Sequence, residues 1–186
     1  MPPASSGRLV YVVGPSGAGK DSVIGHARTS LRAGSNVVFA QRTITRPAAA
    51  GHEEHAAATP EEFEALLSAG AFAMHWRANG LAYGIGREIL GWLAAGATVV
   101  VSGSRAHLPQ AMAAFATLEI VHVLAAPGTL RERLAARGRE DAAAVEARLA
   151  RASALALPEG VCATVIRNDG RLEEAGSVLL EHLLRA

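Results

Sequence analysis

Apolar positions along this chain follow two rhythms. Short unbroken runs at Leu9–Val13, Val37–Thr43, Thr98–Val101, Glu119–Leu124 and Ala163–Arg167 have the length and β-branched content of buried strands. Between them, apolar residues recur at helical spacing. Helices are expected over Lys20–Ala33, Pro60–Ala69, Arg87–Ala95, His107–Phe115, Gly128–Arg137, Ala142–Leu157 and Leu172–Arg185. Strands alternating with helices predict an α/β fold with a central parallel sheet and helices covering it.

One stretch breaks that alternation. Thr59, Pro60 and Glu62 spell a helix start, with an N-cap, a proline at the first helical position and a capping-box glutamate. Gly70 closes that helix. Two further apolar runs, Ala71–Arg77 and Leu81–Ile85, then flank Asn79-Gly80, a strong hairpin turn signal. Loop, helix, hairpin and helix therefore stand between the second and third strands of the main sheet. This predicts an inserted subdomain at 37–95 on a core of 7–36, 96–126 and 153–186, with residues 127–152 as a further outlying helical segment.

The chemistry begins at the end of the first strand. Gly14, Pro15, Ser16, Gly17, Ala18, Gly19 and Lys20 form G-x-x-x-x-G-K between a strand and a helix, the context a P-loop requires. Such a loop turns its backbone N–H groups onto an anion at the positive end of the helix that follows. The spacing of Gly14, Gly17 and Gly19 does not fit a dinucleotide fingerprint. Lys20 is the only lysine in the chain. Its compact ammonium on a flexible stem suits a phosphate cradle better than a planar guanidinium would. Where the motif calls for Ser or Thr to meet Mg²⁺, the chain has Asp21, followed by Ser22. Two readings of Asp21 stand side by side: a contact to Mg²⁺ with Ser22 assisting, or a first-turn helix charge.

Composition narrows the picture. The chain has 186 residues, half of them hydrophobic, and a net charge of +1. That suits one domain and gives no electrostatic reason to expect a nucleic-acid partner. A single cysteine, Cys162, excludes an internal disulfide and a cysteine-based metal site. It stands in an apolar run and is expected in the core. The segment MPPASSG has neither a basic start nor an apolar run, so no secretory leader is expected. No apolar stretch is long enough to span a bilayer. A cytoplasmic enzyme, monomer or homodimer, acting on a small anionic substrate is the expectation.

Arginines crowd into 127–152. Arg137 and Arg139 flank the helix-breaking Gly138, and Arg148 follows in the next helix; these three are expected as the lid cations. Guanidinium groups closing over a transferring phosphoryl stabilise its developing charge and exclude water. Arg131, Arg133 and Arg151 are expected instead to pair in solvent with Glu132, Glu140, Asp141 and Glu146.

These motifs, in this order, resemble the guanylate kinase family of P-loop NTPases across almost the whole chain. The resemblance implies a three-layer fold with a central parallel sheet, inserted acceptor-binding subdomain and helical lid. Within that family, GPSGAGKDS (Gly14–Ser22), ITR (Ile44–Arg46), HWRANGLAYGIG (His75–Gly86) and GSRAHLPQA (Gly103–Ala111) are similar to the ribose 1,5-bisphosphate phosphokinases. This implies ATP-dependent phosphorylation of ribose 1,5-bisphosphate to 5-phosphoribosyl 1-diphosphate, in organophosphonate breakdown. ATP and Mg²⁺ are the implied cofactors and a phosphosugar the implied partner. Two rivals are a guanylate or other nucleoside monophosphate kinase, and an inactive guanylate-kinase-like interaction module.

Departures from guanylate kinase carry chemical meaning. Arg42 and Met74 occupy the places where a Ser and a Glu read guanine, and neither can make those contacts. Ala49 replaces a second phosphate-binding arginine, and Ser102 replaces a strand-end aspartate. Expected acceptor residues are Arg42, Arg46, His75, Arg77, Tyr83 and Arg105. His75, Arg77 and Asn79 alternate along a strand and so share a face, which Tyr83 is expected to join from beyond the turn, while Trp76 points into the core. The polar loop His52–His55 is expected to be an acceptor-site flap rather than a metal cluster. Asn168 follows the last strand and either meets the adenine edge or simply forms an Asn-Asp-Gly turn.

Overall fold

A computed structural model of the chain describes residues 7–47, 55–136, 146–147, 149–150 and 156–185. Five strands form a fully parallel sheet in the order β2-β7-β1-β8-β9: β1 (Arg8–Val13), β2 (Val37–Phe39), β7 (Thr98–Ser102), β8 (Leu118–Leu124) and β9 (Thr164–Arg167). The central strand β1 has no exposed side chain, which explains its uninterrupted apolar run. Val10 and Val12 face one apolar cluster, with α1 (Lys20–Ser30) and α6 (Leu172–Leu184). Leu9, Tyr11 and Val13 face a second, with α3 (Glu88–Ala94) and α4 (Leu108–Ala114). Helix α5 (Pro127–Ala136) leads out of β8.

A second sheet, in the order β4-β3-β6-β5, is built from β3 (Arg42–Ile44), β4 (Ala56–Ala57), β5 (Phe72–Ala78) and β6 (Leu81–Gly86). The expected single strand Val37–Thr43 is thus two. β2 pairs with β7 in the central sheet, and β3 pairs with β6 in the other. The chain changes sheets at Ala40-Gln41, so the insert's own sheet starts at Arg42.

Local signals were read by the fold as expected. Helix α2 (Pro60–Ser68) starts with Thr59 Oγ1 accepting from Glu62 N–H, while Glu62 accepts from Thr59 N–H, the reciprocal capping box. Asn79 and Gly80 both adopt positive φ, 51° and 74°, as a two-residue hairpin turn demands. Cys162 contradicts expectation: it is exposed. Its neighbours Val161 and Ala163 pack on the second cluster, so the extended chain turns the residue between them outward.

Candidate active site

The site is built where β1 ends. Gly14 leaves the strand so close to its neighbour that a Cβ there would stand 2.2 Å from the Val123 carbonyl oxygen. Gly17 and Gly19 take φ of +88° and +82°, which side chains resist, and Gly19 caps α1. The loop thereby leads into the positive end of an 11-residue helix, the position where backbone N–H groups favour an anion. Lys20 Nζ lies within the loop and donates to the Gly14 carbonyl at 3.1 Å.

Asn168 is part of this loop's support. It is 3% exposed, and its Nδ2 donates to the Ala18 carbonyl at 2.8 Å. Its own N–H donates to Leu124 O. Its Oδ1 is buried with no hydrogen-bond partner among the described residues. Through these two hydrogen bonds Asn168 ties the P-loop to the end of the sheet.

Three residues distant in sequence meet beside Lys20. Asp21 Oδ1 accepts from Arg42 Nη2 at 2.8 Å and from Ser102 Oγ at 2.9 Å. Arg42 Nη1 donates to the Ser102 carbonyl at 3.2 Å. Arg42 is 8% exposed, and its guanidinium lies 5.9 Å from the Tyr83 ring centroid, within cation–π range. Tyr83 stacks on Trp76 at 5.4 Å, and Trp76 on His107 at 5.3 Å.

That column corrects one expectation. Tyr83 pairs directly with Trp76 across the hairpin and shares its face. It does not face His75 and Arg77, which are exposed on the opposite side of β5. Arg77 forms an ion pair with Glu64 of α2. The expected acceptor set therefore divides. Arg42 and Tyr83 come together next to the P-loop, whereas His75 and Arg77 do not join them. Arg46 follows β3 by two residues, its Nη2 3.5 Å from His55 Nδ1, and its carbonyl oxygen 3.1 Å from His55 Nε2.

The loop after β7 carries Arg105. Here Gly103 crosses the Tyr11 ring so closely that a Cβ would approach a ring atom to 2.1 Å. The Tyr11 hydroxyl accepts from Ser104 N–H at 3.1 Å. Burial, the largest cause, pushes the Tyr11 phenol up to about 12, so it stays neutral. Burial also lowers the Arg105 guanidinium from its usual range.

Two residues were missed from the sequence. His122, opposite Val13 in register, is buried, and its Nε2 has no hydrogen-bond partner among the described residues. Burial, then Arg105 and Lys20, hold its pKa down. Arg133 was expected in solvent beside its acidic neighbours. Its Nη1 is instead buried, 3.6 Å from where a Gly19 Cβ would stand, with no hydrogen-bond partner among the described residues. Arg131 does pair with Glu146, at 2.9 Å, as expected. Helical phase separates the two: Leu130 and Leu134 are buried, and Arg133 lies beside them against the loop. Arg137, Arg139, Arg148 and Arg151, Ala49 and His52–Glu54 lie outside the described residues.

Among the described residues no group of three His, Cys, Asp or Glu side chains could hold a metal. Asp21 and the exposed Ser22 offer hard oxygen donors at the loop. This sparse set fits Mg²⁺, which is commonly held by one or two carboxylates, waters and substrate phosphates. No described helix is long and apolar enough to cross a membrane.

No family model matches the chain. Curated relatives do. A protein named ribose 1,5-bisphosphate phosphokinase PhnN from Burkholderia pseudomallei (strain K96243) is 52% identical over 185 residues, 98% of this chain and 100% of its own length. One of the same name from Thiobacillus denitrificans is 48% identical over 96% of this chain and 94% of its own. Among solved structures, the guanylate kinase from Anaplasma phagocytophilum superposes with a TM-score of 0.70 at 19% identity, covering 96% of this chain and 85% of that one. At that identity the likeness establishes the shared fold.

Proposed function

The chain belongs to the ribose 1,5-bisphosphate phosphokinases, and from that premise we propose which of its residues carry the reaction. The reaction is transfer of the γ-phosphoryl group of ATP to the 1-phosphate of ribose 1,5-bisphosphate, giving 5-phosphoribosyl 1-diphosphate and ADP. The bond between the γ-phosphorus and its bridging oxygen breaks as an oxygen of the acceptor phosphate bonds to that phosphorus. The acceptor oxygen is already ionised near neutral pH, so no general base is required. Catalysis is then positioning and charge stabilisation.

The loop Gly14–Gly19 and Lys20 hold the donor phosphates, with Asn168 fixing the loop's shape and Arg133 supplying a buried cation beside it. Ser22 is the protein group that would meet Mg²⁺, since Asp21 Oδ1 is held by Arg42 and Ser102. Bound on the phosphates, that ion would neutralise charge on the β- and γ-oxygens. Arg42, Arg46 and Arg105, with the Tyr83 ring behind Arg42, receive the acceptor. His75 and Arg77 take part only through a rearrangement of the hairpin, since they face away from Arg42. Arg137, Arg139 and Arg148 supply the lid cations, a role assigned from the family resemblance. In these terms the second sheet with α2 is the acceptor-binding part, and segment 127–152 the lid. A metabolic kinase of this kind works in the cytoplasm, and its relatives' PhnN name fits a place in phosphonate catabolism.

The match along the full length of named relatives carries this reading. The buried Arg42 and Met74 support it against guanine recognition, because neither offers an acceptor for the ring N–H groups. Incubation with ATP and ribose 1,5-bisphosphate, followed by phosphorus NMR, tests it. A diphosphate doublet pair forming together with ADP is expected. Preferred turnover of guanosine monophosphate would overturn it, as would tight peptide binding without turnover of any acceptor.

A further inference from the structure

The junction of Asp21, Arg42 and Ser102 joins the donor loop, the acceptor sheet and the end of the central sheet. Asp21 sits in the first turn of α1, directly after Lys20. Arg42 opens β3, and Ser102 closes β7. A single carboxylate oxygen receives both the guanidinium, at 2.8 Å, and the serine hydroxyl, at 2.9 Å. The second arm of the guanidinium is tied to the Ser102 carbonyl at 3.2 Å. With the Tyr83 ring along its flank, the fork is held from three directions.

Two physical arguments give this arrangement a purpose. A guanidinium so deeply buried needs a charged partner, and here Asp21 is one. Conversely, a carboxylate beside a loop built for polyphosphate repels its ligand unless a cation cancels it. Arg42 provides that cancellation from the acceptor side. The pair therefore costs the donor site little while aiming a rigid, planar cation at the boundary between the two substrates.

We propose that Asp21 is a positioning residue for the acceptor: it orients Arg42 onto the phosphate that accepts the transferred group. The proposal rests on the reading of Arg42 as an acceptor-binding residue. Its consequence is that the irregular last letter of the P-loop serves the acceptor half of the site. A second consequence follows from the 2.9 Å contact between Asp21 and Ser102. Exchanging the two side chains moves the carboxylate to the other side of the same hydrogen bond. It stays within reach of the guanidinium, whose other arm already touches Ser102.

A double-mutant cycle with steady-state kinetics tests this, with the melting temperature of each variant measured alongside. Turnover of ribose 1,5-bisphosphate by the unaltered enzyme tests the underlying reading by itself. In the cycle, Asp21→Asn and Arg42→Gln are each expected to raise the acceptor KM about tenfold, the scale of losing a hydrogen bond to a charged group. Combined, they should cost no more than Arg42→Gln alone, because both remove one interaction. KM for ATP and the Mg²⁺ requirement should move far less. Asp21→Glu should fall between the unaltered enzyme and Asp21→Asn. Asp21→Ser combined with Ser102→Asp should recover most of the acceptor affinity lost in Asp21→Ser. Acceptor penalties that multiply in the double variant would overturn the proposal. So would an Asp21→Asn effect confined to ATP and Mg²⁺, or an exchange variant no better than Asp21→Ser.

Discussion

At the scale of single residues, the site depends on backbone shapes and close approaches more than on the number of charges. Gly19 shows this. Its φ of +82° and the 2.4 Å separation between a hypothetical Cβ and Asn168 Nδ2 leave no room for a side chain. Gly19→Ala should cost about 1–3 kcal/mol of local strain, read as a weaker ATP affinity in calorimetry. Displacing the Asn168 amide would also release the Ala18 carbonyl it holds. Arg133 makes a second test. Its buried Nη1 lies against the same glycine, so Arg133→Gln is expected to raise KM for ATP about tenfold. The exposed Arg131, paired with Glu146 on the same helix's other side, should tolerate Arg131→Gln with little change in rate. Equal effects of the two substitutions would contradict this assignment.

At the scale of elements, the second sheet is oriented by its turn and by the capping of the helix behind it. The two-residue turn pairs Ala78 with Leu81 and therefore Trp76 with Tyr83. That parity decides which side chains meet Arg42. It was legible in the sequence, since a two-residue turn dictates every cross-strand pair that follows. Alternation along β5 alone could not reveal it. Helix α2 backs this sheet, with Phe63 stacked on Phe72 at 4.8 Å and Phe72 over Gly84. Its start depends on Thr59. Thr59→Ala should remove about 1 kcal/mol of stability, seen as a lower denaturant midpoint, while kcat stays within twofold because no site residue lies on α2.

At the scale of the whole molecule, the end of the sheet opposite the P-loop holds a titrating cluster that ties the C-terminal helix to β1 and β8. Arg8 Nε donates to Glu119 Oε1 at 2.7 Å, and His182 Nε2 lies 3.1 Å from Glu119 Oε2. Arg8 holds the Glu119 carboxyl below its ordinary range. Burial, outweighing the nearby Glu119, holds the His182 imidazole below its own. In both cases the unfolded chain takes up the proton at higher pH than the folded one. Stability is therefore full above those unfolded values and falls with acid. The loss begins below about pH 6.5 through His182 and continues below about pH 4.3 through Glu119. Urea midpoints should decline from pH 7.5 to 5.5, and His182→Gln should make that decline shallower, the buried His107 and His122 keeping the remainder. A midpoint that rises on acidification would show that the imidazole is stabilised as its cation instead.

Much of the molecule was written locally. The parallel-sheet strands, the P-loop, the capping box and the hairpin turn all depend on residues within a few positions of one another. Spacing, glycine freedom and hydrogen bonding along the backbone suffice to specify them. Tertiary structure alone decided which distant residues share one space. It split Val37–Thr43 between two sheets, turned Cys162 outward, drew Arg133 onto the loop and made Asn168 a clamp. Above all it brought Asp21 to Arg42 and Ser102, 21 and 81 residues away. Those contacts follow from sheet order and from the angle at which one sheet meets the other. Packing across the whole chain sets both, and no short window of sequence encodes either.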